Sequence, residues 1–400
     1  MGFAAVEKDR VNTRVFLLFL LEIRAAAMQN KILDSDLSQP RSTTALVTLI
    51  SVFFFWGFVA ASNGILIPVY KEKLNLEQWQ VQLIDVAFYI AYTVGSLIYF
   101  LLSKMQGGDM LNRLGYRNGI AMGLVISAIG AFLFYPAAQT GSFYLMISGL
   151  FIVGLGFSLQ QTAANPLAIT MGDPKKGAQR LSLAGGINNI GTTIGPVLVS
   201  FAIFGSIREG QKLETLESVK TPYLILGAAF ILFALIFKFS SIPNTIAHEK
   251  EETATGQAGK SVFTYPQLWL GMIAIFLYVG VEVSTASNLP EFMRQHVGIT
   301  ANGVAPFVSL FWASLMIGRW AGAVGAFDLS MGLKHALRIL LPYAAFAVFL
   351  FVNKLANHDI TPFYIYALII VAMIIADISS RGNPARQLII FSGAGIAGLL

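Results

Sequence analysis

The sequence predicts an all-α integral membrane protein, and three observations carry that prediction. Of 400 residues, 56% are hydrophobic and only 12% are charged. The mean hydropathy is +0.68, a poor fit to a water-soluble surface. The apolar residues also gather into runs of spanning length, because the hydrocarbon is about 30 Å thick and a helix rising about 1.5 Å per residue crosses it in about 20 residues.

Ten such runs follow one another. The first (44–69) and second (81–103) are parted by the polar stretch 70–80, the third (118–137) follows 104–117, and the fourth (143–170) ends at the Gly/Pro-containing turn 171–182. The fifth (183–205) and sixth (222–241) complete a first set. A polar, charged segment, 242–265, then reads as a mobile cytosolic linker before the seventh (266–289), eighth (304–326), ninth (335–353) and tenth (362–379) runs. The division is therefore an N-terminal cytosolic extension (1–43), a six-helix bundle (44–241), the linker, and a C-terminal bundle (266–400). The last segment, 385–400, opens an eleventh run too short to cross, so the C-terminal half reads as truncated.

Charge supplies the orientation. With the N-terminus inside, 20 of the 27 basic residues fall on inner segments, as the positive-inside rule requires. The net charge of +6 thus reflects topology, and no basic tract points to nucleic acid. Lys8, Arg10, Arg14 and the run Val15 to Leu21 imitate a secretory signal, but Glu22 and Arg24 interrupt it and cleavage would invert the loop charges. We read 1–43 as a disordered extension, with Met28 as a possible true start.

Enzymatic readings are weak. The chain has no cysteine, its four histidines (His248, His296, His335, His358) lie in or beside loops, and no hydrolase, zinc-protease or phosphate-loop motif occurs. No metal or cofactor is expected.

What remains is polar chemistry inside the spans. On the second, Asp85, Tyr89, Tyr92 and Ser96 recur at i, i+4, i+7 and i+11, which puts them along one face; Tyr278, Glu282 and Thr285 do the same on the seventh. Gln161 and Asn165 share a face of the fourth, and Asn188 and Asn189 sit in the fifth. Amides both donate and accept, as a polyhydroxylated ligand requires. The alternative is that buried amides only join helices, and Gln160, Asn165 and Asn189 are assigned to that class. Trp56 and Trp312 offer apolar area for a sugar face or for packing. Of the acids, only Asp85, Glu282 and Asp377 fall within spans, where an ionised group costs about 2.5–3.5 kcal/mol. A desolvated carboxyl holds a proton that it releases to water, so Glu282, deepest of the three, is the first ion-coupling candidate and Asp85 the second. Asp377, near the inner end, is read as snorkelling to the interface.

Several segments resemble the fucose–proton symporter and glucose/galactose transporter family of the major facilitator superfamily: FFFWGFVAASNGILIP (53–68), DVAFYIAYTVGS (85–96), NRLGYRNGI (112–120), QQTAANP (160–166), AQRLSLAGGINNIGTTIGP (178–196) and IAIFLYVGVEVSTASN (273–288). The resemblance implies two pseudo-symmetric six-helix bundles, alternating access, and a monosaccharide such as glucose, galactose or fucose carried with a proton. It assigns substrate contact to the positions of Gln161, Asn188 and Asn63, to which Tyr89 and Trp312 are added from the residue reading. It also shows departures. Gly64 and Gln161 stand where fucose carriers have acids, Gly185 replaces a Gln, and Asn112 replaces an Asp in the loop after the second span. Proton coupling then has to fall on Glu282 or Asp85, with sodium coupling and facilitated diffusion open. The tenth run lacks the family's motif, which favours an inserted helical pair over a divergent helix. Arg319 reads as a gate or snorkelling cation. The expectation is a monomer in a bacterial inner membrane, its N-terminus cytoplasmic and its partners the bilayer, the sugar and the coupling ion; a non-transporting sugar sensor or scaffold is the alternative.

Overall fold

The computed structural model describes residues 43–106, 108–204, 217–246, 264–298 and 301–379, and the side chains of 43, 62–73, 78, 81–82, 85, 174, 196–204, 217–219, 287, 290–291, 294 and 301–305 lie outside that description. Ten long helices correspond to the ten apolar runs. They are α1 (Thr43–Lys73), α2 (Gln78–Met105), α3 (Tyr116–Phe132), α4 (Phe143–Thr170), α5 (Gly177–Phe204), α6 (Glu217–Phe239), α7 (Pro266–Phe292), α8 (Ala301–Ala323), α9 (Met331–Leu355) and α10 (Tyr366–Ser379). Nine are long and apolar enough to cross a membrane, counted among the described residues.

Local chemistry sets the breaks. α3 stops at Phe132 and resumes over Phe134–Thr140 because Pro136 has no N–H to return to the carbonyl four residues back. Gly141, at φ 61°, ends that piece in the left-handed conformation, and the Ser142 hydroxyl then accepts from the Leu145 N–H to start α4. At the far end of α4, Arg180 is buried and donates to the carbonyls of Ala168, Ile169 and Asp173. It thereby satisfies acceptors the helix leaves open and fixes where α5 begins.

Two separate apolar cores form. The first joins α1 to α6 through aromatic rings, with Phe157 edge-to-face on both Phe88 and Phe230, and Phe230 tilted against Phe55. Lipid tails are as apolar as leucine, so close packing of small residues has to do much of the work between helices. α3 and α4 illustrate it: a Cβ on Gly130 would lie 2.6 Å from the Gly149 carbonyl, and one on Gly123 2.6 Å from that of Gly156. The second core joins α8, α9 and α10 around Met316, Ile317, Phe349, Phe363 and Ile370. Ile190 of α5 packs against it, so α5 touches both cores.

Two differences from the sequence reading concern boundaries and charge. The linker is expected from residue 242, yet Ile242 and Ile246 are buried in the first core; the Asn244 carbonyl accepts from the Tyr116 N–H and its side-chain oxygen from that of Asn118. The remainder of the linker, 247–263, like the 1–42 extension and the 380–400 segment, lies outside the described residues. Asp377 does not snorkel. It is buried and faces Arg338 of α9 at 3.9 Å, because the pairing cation lies on the adjacent helix and outcompetes the interface.

Candidate functional site

The exposed arc of α2 divides into two sectors. Val86, Ile90, Leu97 and Leu101 make one apolar side, whereas Tyr89 (47% exposed), Thr93 and Ser96 lie roughly 90° around the helix on a more polar side that ends in the exposed Phe100. Acyl chains suit the first sector and water the second. Tyr92, at the edge of that polar side, accepts through its hydroxyl from the Gln161 amide nitrogen at 3.3 Å. Ser96 bonds Ser158 at 3.1 Å, so part of the polar stripe serves α2–α4 contact.

On α4, consecutive glutamines part company. Gln160 is fully buried: its oxygen accepts from Trp56 Nε1 at 2.9 Å and its amide donates to Ser127 at 3.0 Å. Gln161, one residue and about 100° on, is half-buried, and Tyr92 is its one hydrogen-bond partner among the described residues, leaving its oxygen available. Trp56 is accordingly a packing residue.

The asparagines of α5 divide in the same way. Asn188 donates to the Phe53 carbonyl at 3.0 Å, on the α1 side, where Gly57 lets α1 approach so closely that a Cβ would strike the Asn188 carbonyl. Asn189 faces α8 instead. Its side-chain oxygen accepts from Arg319 Nη1 at 3.2 Å, and its buried amide nitrogen has no acceptor among the described residues. Gly185, Gly186, Gly191 and Gly195 all press against neighbours (Arg319, Trp320, Phe54 and Phe58), a close-packing role.

Arg319 is the centre of a charged cluster. Its Nη2 donates to the Tyr278 hydroxyl at 3.1 Å and lies 3.7 Å from the Glu282 carboxylate, and Tyr278 stands one turn before Glu282 on the same face of α7. Its Nη1 also reaches the Gly185 carbonyl at 3.4 Å. α7 runs on through a π turn to Val297, which puts Glu282 near the midpoint of the continuous helix. Although α7 is the most exposed of the candidate spans, the Glu282 side chain is only 14% exposed. A carboxylate, a guanidinium, a phenol and an amide from three helices thus converge where the membrane would otherwise make each costly.

Of the residues singled out from sequence, Glu282 is in this cluster. Gln161 and Asn188 lie on α4 and α5 with no direct bond to it among the described residues. Trp312 is half-buried on α8, seven residues before Arg319 and so on the same face two turns away. Tyr89 is on the polar sector of α2. The side chains of Asn63 and Asp85 lie outside the described residues. Sequence reasoning left out Asn189 and undervalued Arg319 and Tyr278. The available signal was complementarity: an acid inside the membrane calls for a cation there, and Arg319 is the cation nearest mid-span on the flanking helix.

Residues 44–375 match the family profile described as Major Facilitator Superfamily. The chain is 35% identical to a glucose/galactose transporter of Brucella abortus over 288 residues, covering 72% of this chain and 68% of the relative. It is 29% identical to the L-fucose-proton symporter of Escherichia coli over 311 residues, covering 72% and 69%. A crystal structure of the transporter FucP in the outward conformation superposes with a TM-score of 0.57 at 24% identity, covering 88% of this chain and 97% of that one, which shows the shared fold.

Proposed function

We propose, from the premise that this chain belongs to the Major Facilitator Superfamily, that it carries a monosaccharide across the bacterial inner membrane by alternating access, coupled to a proton. The observation that carries the reading is the Glu282–Arg319–Tyr278–Asn189 cluster, which joins α5 of one bundle to α7 and α8 of the other. A carboxyl that exchanges a proton at such a junction can make the relative position of the bundles depend on protonation. The curated relatives named as glucose/galactose transporters and an L-fucose-proton symporter support a neutral hexose or deoxyhexose as cargo.

Gln161, Asn188 and Asn63 contact hydroxyls in this reading, Tyr89 and Trp312 flank the sugar, Glu282 is the coupling acid and Asp85 its alternative. Gln161 and Asn188 each keep a side-chain oxygen with no bond among the described residues, which suits them to hydroxyl donors. Gln161 stands where fucose carriers have an acid, which favours glucose or galactose over fucose. The carrier acts as a monomer with its N-terminus in the cytoplasm, and the 1–43 extension, the 44–241 and 266–400 bundles and the cytosolic linker between them are its working divisions.

The test is uptake of labelled glucose, galactose and fucose into proteoliposomes, with a competition panel, at several pH values and with or without sodium. The proposal expects hexose uptake driven by an inward proton gradient and indifferent to sodium. Uptake that follows sodium, or that ignores pH in the parent protein, contradicts it.

A further inference from the structure

Below the charged cluster, α5 and α8 meet along a line of contacts that belongs to both bundles. Trp320 Nε1 donates to the Gly186 carbonyl at 3.1 Å, and a Cβ on Gly186 would lie 2.6 Å from the Trp320 ring. Arg319 rests on Gly185 in the same way. Further along, a Cβ on Gly325 would strike the Gln179 side chain, and Lys176 pairs with Asp328. All of this lies toward the N-terminal end of α5 and the C-terminal end of α8, the side that the basic-residue count makes cytosolic. Two glycines bare their carbonyls, and two N–H donors from the opposite bundle occupy them.

One guanidinium serves both purposes. Arg319 points Nη1 at α5 (Gly185 carbonyl, Asn189) and Nη2 at α7 (Tyr278, Glu282). α8 and the π turn are the elements packed most directly on α7, and Arg319 and Tyr278 are the charged and titratable groups that face Glu282 among the described residues. While Glu282 is ionised, it holds the guanidinium in the orientation that reaches α5. Once Glu282 is neutral, the ion pair is lost and nothing on α7 fixes that orientation electrostatically.

We propose that Arg319 is a positioning residue that converts protonation of Glu282 into release of the α5–α8 contact, so that the cytosolic side opens only after the proton is bound. This rests on the proton-coupled reading above and adds to it the element that moves. It accounts for an arginine near the inner end of α8 whose two nitrogens are divided between α5 and α7.

The chain has no cysteine, so one introduced thiol is the only one. Gln179→Cys places it at a position 9% exposed in the α5–α8 contact. Its maleimide labelling rate in detergent, divided by the rate for the unfolded chain at the same pH to remove thiolate chemistry, reports the open fraction. The rate should rise about tenfold from pH 8 to pH 5, the equivalent of one charge-assisted hydrogen bond lost. Glu282→Gln should be fast at both pH values. Arg319→Gln, checked for a monodisperse elution profile, should lose the pH response. Trp320→Phe, which removes a donor without touching the relay, should label faster yet keep the response. Should Arg319→Gln not fold, Arg319→Lys is read instead, and a response reduced in size is expected. A parent-sized pH response in the Arg319 variant overturns the proposal. A response that depends on Glu282 and Arg319 in a protein that takes up no sugar at any pH overturns the transport reading and leaves the relay standing.

Discussion

The Trp56–Gln160–Ser127 cluster and the Asn189–Arg319–Glu282–Tyr278 cluster use similar donors and acceptors but differ in closure. In the first, the Gln160 oxygen and amide each find a partner, the Ser127 hydroxyl donates a hydrogen bond to the Val153 carbonyl, and the three residues come from the neighbouring helices α1, α3 and α4. In the second, an amide nitrogen is left over, the ion pair is 3.7 Å apart, and the members come from α5, α7 and α8. A closed network of neutral groups has one arrangement and holds helices in place. An open, charged one has alternatives whose balance a proton can shift. Gln160 beside Gln161 and Asn189 beside Asn188 show the same division at one-residue resolution.

That contrast can be broken by substitution. The largest stability effect is expected at Gly57→Ala, where the new methyl meets the Asn188 backbone carbonyl rather than a side chain that could yield; about 3 kcal/mol of destabilisation is expected, read as a drop in the thermal midpoint in detergent. Gln160→Leu should cost about 1–3 kcal/mol, because the Trp56 N–H and the Ser127 hydroxyl lose their partner, while sugar affinity measured by competition stays at the parent value. A loss of affinity without loss of stability would place Gln160 in the working site and dissolve the distinction. A smaller effect is expected at Gln161→Ala. It should weaken sugar binding about fivefold, roughly 1 kcal/mol, leave the thermal midpoint nearly unchanged, and exceed the effect of Asn165→Ala. Equal effects at the two positions would return Gln161 to the structural class.

All ten helices were legible because hydropathy and length suffice for a chain whose solvent is lipid. The helix interior needed more. Pro136 signals the break in α3, but Ile242 and Ile246 look like linker until the first core is seen to accept them. Asp377 has the depth of a snorkelling residue, and only the position of α9 brings Arg338 to it. Glu282 could be found from its cost in the membrane. Its partners could not be ranked, because a helical step of about 100° sends Asn188 to α1 and Asn189 to α8, and sequence alone does not say which neighbour stands on which side.

Glu282 is the acid proposed to link proton and sugar movement. Sugar accumulation in proteoliposomes after an imposed one-unit pH step tests it most directly, since one proton per sugar at 1.36 kcal/mol supports about tenfold accumulation. The parent protein should approach that ratio, and Glu282→Gln should exchange labelled for unlabelled sugar yet accumulate none. Accumulation by Glu282→Gln equal to the parent's would contradict the claim.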